Sequence, residues 1–252
     1  MLKKILILIA FLAMIFVNAM ANILPLGGKT TGQISAKYQN LFTPAPITFS
    51  IWGVIYVLVA VFVILQFIPE KGISRPYGGI AFTFVLTCIF NIAWMFCWHY
   101  DKIAASVVMM LGLLLSLIIL NGLVGNAADY AGIRKLIPIG FQVYLGWICA
   151  ATIANISAFL KSIGWNGFEV SAELWTVLVI LAGMIIGVLF ILISHQIFSP
   201  LAIVWAYVGI LIQHIGKAGY GMQYGLVVFT LIVSIAVLLM LFPICVKYYA
   251  KS

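Results

Sequence analysis

Charge is what this chain has least of. Charged residues make up 7% of its 252 residues, where a soluble domain would carry about a quarter. Apolar residues make up 65%, and the mean hydropathy is +1.25. A water-soluble globule and a disordered chain are both excluded by that balance. There are five acidic residues in all, and none lies well inside an apolar run, so the intramembrane carboxylate common in ion-coupled transport is absent. CxxC pairs are absent too. Cys88, Cys97, Cys149 and Cys245 all sit within apolar runs, where cysteine behaves as a small buried hydrophobe. No Ser-His-Asp set, paired carboxylate, phosphate loop or HxxxH is visible. His99, His195 and His214 are scattered near the ends of apolar runs, and no metal site is expected.

What the chain has in abundance is long apolar runs. Eight can be marked: Ile5–Ala21, Ile47–Ile68, Gly78–Trp98, Ile103–Gly125, Leu136–Leu160, Leu174–Ser194, Pro200–Ile215 and Tyr224–Val246. Each approaches the ~17–25 residues of a tilted bilayer-spanning helix, the seventh being the shortest. Only helices and closed barrels satisfy their backbone groups in hydrocarbon. Runs this continuous are not the ~10-residue alternating strands of a barrel. The fold class is therefore all-α, a polytopic membrane bundle of about eight spans. Lys3 and Lys4 ahead of the first run, and Ala19-Met20-Ala21 at its end, also have the shape of a secretory signal.

The net charge of +8 does not point to nucleic acid, because the cations come singly or in pairs at the ends of runs. With eight spans and a cytoplasmic N-terminus, Lys3, Lys4, Lys71, Arg75, Arg134, Lys135, Lys247 and Lys251 lie inside, and Lys29, Lys37, Lys102, Lys161 and Lys217 lie outside. Eight against five follows the positive-inside tendency and puts both termini in the cytoplasm. Two connections are long, Asn22–Pro46 and Lys161–Glu173; a long loop in a compact protein is often a lid, and a plain tether is the alternative.

Polar and aromatic residues within the runs carry the chemical information. Asn91, Trp94 and Trp98 recur at i, i+3 and i+7; Tyr144, Trp147, Ala151 and Asn155 at i, i+3, i+7 and i+11; Trp52 and Tyr56 at i and i+4. Three spans thus each present an aromatic stripe, two of them with an amide. An amide in hydrocarbon is costly unless paired, so both should face protein or a wet cavity. Aromatic walls with few polar groups suit a flat apolar ligand. Packing and interface belts use the same spacing. Gly183 and Gly187, four residues apart, permit close helix approach.

Three segments resemble the tryptophan-rich sensory protein / translocator protein family, also called the peripheral-type benzodiazepine receptor family. Pro44-Ala45-Pro46-Ile47-Thr48-Phe49-Ser50-Ile51-Trp52-Gly53-Val54-Ile55-Tyr56 is similar to the family's Pro-rich loop end and Phe-x-x-Trp-x-x-x-Tyr. Asn91-Ile92-Ala93-Trp94 is similar to its Asn-x-x-Trp, and Tyr144 through Trp147 and Ala151 to Asn155 to the stretch on its fifth helix. The segments stand in the family's order and cover about residues 1–165.

The resemblance implies a five-helix bundle over residues 1–165, with the loop Asn22–Pro46 folded over a pocket, and three additional spans over residues 166–252. It implies retention of the first helix, and ligands such as porphyrins, other tetrapyrroles or synthetic aromatics. The implied ligand-binding residues are Trp52, Tyr56, Asn91, Trp94, Tyr144, Trp147, Ala151 and Asn155, with Trp147 against the ligand. Neither a catalytic residue nor a required cofactor is implied; a porphyrin or haem-like molecule would be the ligand. The expected partners are membrane lipid, a small hydrophobic ligand and, in a dimeric form, a second copy; nucleic acid is not among them. A transporter of small hydrophobic molecules and a tetrapyrrole-modifying membrane enzyme are the alternatives. The chain departs from the family pattern in lacking a Trp between the prolines of the first loop, in having Val143 before Tyr144, and in its three further spans. It looks like a longer, divergent bacterial form. Trp175, Trp205, Tyr207, Gln213 and His214 in those spans match no motif.

Overall fold

A computed structural model describes residues 1–24, 26–68, 77–125 and 132–244. Lys71, Arg75, Cys245, Lys247 and Lys251 lie outside the described residues. The main helices are α1 (Leu2–Ile23), α2 (Thr31–Lys37), α3 (Ile51–Leu65), α4 (Tyr77–His99), α5 (Ile103–Val124), α6 (Leu136–Ser162), α7 (Ala172–Leu192), α8 (Phe198–Ile215) and α9 (Gly225–Met240). All regular structure among the described residues is helical. All but the short α2 belong to the eight segments long and apolar enough to cross a membrane. These segments match the eight apolar runs in order, and the seventh is again the shortest, at 18 residues. Pro138 and Pro200 fall in the first turns of α6 and α8, where a missing N–H breaks no helical bond. Gly125 ends α5 at φ 76°, a conformation that favours glycine. Ser171 caps α7 by accepting a hydrogen bond from the Leu174 N–H (3.2 Å). Large apolar side chains such as Leu115, Phe82 and Phe229 remain 60–67% exposed. In water such a surface would aggregate; in a bilayer it meets acyl chains.

The helices group into two packed units. The first comprises Met1–Ile34 and Trp52–Leu145. Within it α1 packs on α4, and α4 on α5. Thr87 donates to Ser116 across the α4/α5 contact (3.2 Å), and a Cβ at Gly112 would come within 2.5 Å of the Phe90 ring, so the small residue sets how closely the two helices approach. Phe62, Phe84 and Phe141 form a buried triangle with ring centroids 5.2–6.2 Å apart. Arg134 donates to the Leu65 and Ile68 carbonyls (3.4 and 2.9 Å), satisfying acceptors that the end of α3 leaves open.

The second unit comprises Ser35–Ile51 and the described residues from Gly146 onward. Here α7, α8 and α9 pack pairwise around Ile180, Tyr207, Ile210, Leu231 and Leu238, all at most 1% exposed. A Cβ at Gly183 would meet the Tyr207 hydroxyl, and one at Gly187 the Leu238 side chain. The expected close approach at this glycine pair is therefore present, to α8 at Gly183 and to α9 at Gly187. Tyr207 donates its buried hydroxyl to the Ile180 carbonyl.

Candidate functional site

Five of the eight expected ligand-binding residues come together in the first unit. Trp52, in the first turn of α3, stacks on Tyr56 one turn along (5.5 Å, 24°) and on Trp94 of α4 (6.2 Å, 29°). Trp94 stacks in turn on Trp98 (5.9 Å, 23°), and Tyr144 of α6 meets Trp52 edge-on (5.8 Å). Trp52, Trp94, Trp98 and Tyr144 are 1–9% exposed, and Tyr56 is half-buried. Offset stacking and edge contacts at these separations are the favourable geometries for ring quadrupoles.

A chain of amides runs beside the rings. Asn18 Nδ2 donates to Asn91 Oδ1 (2.7 Å) and to the Met14 carbonyl (2.9 Å). Asn91 Nδ2 donates to the Tyr144 hydroxyl (2.9 Å). All three residues are at most 3% exposed. The expectation that Asn91 faces protein is thus met, with partners from α1 and α6. Among the described residues the Tyr144 hydroxyl proton has no protein acceptor, so one donor remains available within an aromatic wall. At the end of α4, Trp98 Nε1 donates to the Thr31 carbonyl (3.3 Å), and the Thr31 hydroxyl meets Met95 Sδ at 3.8 Å. The start of the first loop therefore covers the end of the ladder.

Trp147, Ala151 and Asn155 follow Tyr144 on α6 but belong to the second unit. There Trp147 is buried and meets Phe49 edge-on (6.1 Å), Asn155 is buried and Ala151 is half-buried.

Sequence reasoning missed Asn18 and Thr31. Asn18 carried a signal: it is an amide inside the first apolar run, and the cost of burying it unpaired requires a partner. Thr31 contributes a backbone carbonyl, which no side-chain pattern marks.

The last three spans have a definite role in the second unit. They hold the later part of the first loop. Ala45 N–H donates to the Gly209 carbonyl (3.0 Å), and Trp205 Nε1 donates to the Thr48 carbonyl (2.9 Å). His214 Nε2 lies 2.8 Å from the Leu41 carbonyl, which makes Nε2 the protonated nitrogen. The Tyr220 hydroxyl donates to the Asn40 carbonyl (3.1 Å), and its ring packs on His214 at 4.7 Å. Burial holds the Tyr220 hydroxyl above its ordinary pKa, so it stays a donor. Gly209 is required for this docking, since a Cβ there would stand 1.9 Å from Thr48 Oγ1. Trp205 and His214, which matched no motif, are loop anchors.

His99 closes α4, with Nδ1 at 2.9 Å from the Met95 carbonyl, and His195 lies in the turn between α7 and α8. Among the described residues no three His, Cys, Asp or Glu side chains gather as a metal site. Cys88, Cys97 and Cys149 are free thiols.

Fold and cluster together define a polytopic α-helical membrane protein with a buried, amide-tied aromatic ladder. The chain belongs to the TSPO-like protein family, whose family model matches residues 4–244. The match extends beyond the five spans that carry the sequence resemblance and takes in the last three. No curated protein and no solved structure matches the chain.

Proposed function

We propose that the protein binds a flat apolar ligand, a porphyrin or another tetrapyrrole, at the aromatic ladder of the first unit. The observation that carries this reading is the joining of Trp52, Tyr56, Trp94 and Tyr144 around the Asn91 amide, with the Tyr144 hydroxyl left as a donor. A conjugated macrocycle would exchange ring-on-ring contacts within the ladder for contacts with its own faces. Its affinity would come from apolar burial at ~25 cal/mol per Å², less the cost of ordering. The Tyr144 hydroxyl would meet a carboxylate or carbonyl on its edge. Trp147, Ala151 and Asn155 belong to the family's pattern on the same helix, and the reading is tested first on the residues of the ladder. The membrane is a bacterial cell membrane in this reading, with both termini cytoplasmic as the Lys and Arg distribution favours.

The test is titration of the purified protein with protoporphyrin. Saturable quenching of tryptophan emission, weakened by Asn91→Leu, supports a binder. Product analysis in light and dark reports any conversion of the porphyrin, and uptake into liposomes reports transport. Absence of saturable quenching overturns the reading. Reporter fusions within Lys161–Glu173 and after Ser252 test the orientation, and an extracytoplasmic C-terminus contradicts it.

A further inference from the structure

The second unit contains a cavity that the aromatic ladder does not use. It has a volume of about 220 Å³. One wall is the loop segment Asn40–Phe42; the others are the end of α6, the connection after it and the start of α7. Trp165 and Trp175 lie within this lining, 5.0 Å apart and tilted by 58°. The site is firmly built. Trp175 Nε1 donates to the Gly167 carbonyl (2.6 Å), and a Cβ at Gly167 would fall 2.8 Å from that indole. Gly164 and Gly167 take φ values of 67° and 69°, conformations open to glycine at little cost. The opposite wall is fixed by the bonds of Tyr220 to Asn40 and His214 to Leu41.

The polar groups of the lining are unbalanced in sign. Lys161 is its one ionisable side chain, and no Asp or Glu lines it. Among the described residues the exposed Lys161 ammonium pairs with no carboxylate, and the Asn166 Nδ2 group donates to no protein acceptor. Asn166 Oδ1 is already engaged by the Phe168 N–H (3.2 Å), so the groups left over are donors. An apolar body with one anionic end satisfies both the walls and these donors. The volume sets its size. Drug-sized ligands take ~300–1,000 Å³, so this cavity suits a ligand of one or two rings.

We propose that this cavity is a second ligand site, for a small aromatic monocarboxylate whose rings lie against Trp165 and Trp175 and whose carboxylate meets Lys161 and Asn166. The site is independent of the porphyrin reading, because none of its lining residues belongs to the ladder.

The experiment is calorimetric titration of the full chain in nanodiscs with 2-naphthoate, and with 2-naphthylmethanol as its neutral counterpart. Empty nanodiscs supply the partition background. One saturable naphthoate site is expected, with the alcohol bound more weakly. Lys161→Gln should weaken naphthoate about two- to fivefold, the size of an exposed ion pair. The same change should leave the alcohol unaffected, and Lys161→Arg should restore naphthoate binding. Ser157→Phe, which places a ring in the cavity, should abolish binding of both. Trp94→Phe and added protoporphyrin should change neither. Should Ser157→Phe fail to fold, the exposed Lys161 variants still decide the matter. Equal affinity for acid and alcohol, indifference to Lys161→Gln, or displacement of both probes by palmitoyl lysophosphatidylcholine would overturn the proposal, the last showing a groove for lipid acyl chains.

Discussion

In the first unit the polar side chains of the ladder bond one another: Asn18 to Asn91, and Asn91 to Tyr144. In the second, the corresponding side chains bond the backbone of a loop: Trp205 to Thr48, His214 to Leu41 and Tyr220 to Asn40. The first arrangement ties helices to helices in hydrocarbon. The second fixes a segment rich in proline and polar residues to a helical scaffold. Losing Asn91 in the first leaves the buried Tyr144 hydroxyl without its donor, whereas losing one anchor in the second leaves a loop carbonyl unpaired and loosens the loop. The two regions should therefore respond differently to single substitutions.

The largest effect is expected at Gly209. Gly209→Ala forces a Cβ into the Thr48 side chain, and overpacking of this kind typically costs ~1–3 kcal/mol. Hydrogen exchange should rise across residues 40–48, with the amides of α4 unchanged. Unaltered protection of the loop would show that the contact is not needed for its docking.

Asn91→Leu comes next. It removes two buried hydrogen bonds, at ~0.6 kcal/mol on average for membrane helices and up to ~1.7, and leaves the Tyr144 hydroxyl without its donor while Asn18 keeps its bond to the Met14 carbonyl. A stability loss of about 1–2 kcal/mol is expected in detergent. Leu115→Ala, on a face 60% exposed, should cost at most ~0.5 kcal/mol. Equal losses would remove the distinction between the ladder and the lipid face.

His214→Phe keeps a ring against Tyr220 but deletes the bond to Leu41. A loss of ~0.5–1.5 kcal/mol is expected, with faster exchange confined to the neighbourhood of residues 40–42. Trp205→Phe should have the smallest effect. Trp205 is 39% exposed where His214 is 0%, so fewer packed neighbours are disturbed when the bond to Thr48 is lost.

The sequence showed the spans because a run of some twenty apolar residues has few other uses. It showed the ladder's members because aromatic residues three, four and seven apart share a helix face. Which side chains would meet across helices was not visible: Trp52–Trp94 and Asn91–Tyr144 depend on how α3, α4 and α6 pack. His214 was opaque for a further reason. Its partner is a backbone carbonyl 173 residues away, and any residue supplies one. The role of Gly209 was hidden too, since a glycine in an apolar helix says nothing about which chain lies against it.

The ladder's claim to be the ligand site is tested most directly by protoporphyrin titration of Trp94→Phe beside Trp175→Phe. Trp94 stacks on both Trp52 and Trp98, and Trp175 lies in the second unit. If stacking contributes ~0.5–1.5 kcal/mol beyond burial, Trp94→Phe should weaken protoporphyrin about 2- to 13-fold, and Trp175→Phe should leave its affinity unchanged. Saturable binding that survives Trp94→Phe and is lost with Trp175→Phe would contradict the account and move the site to the last three spans.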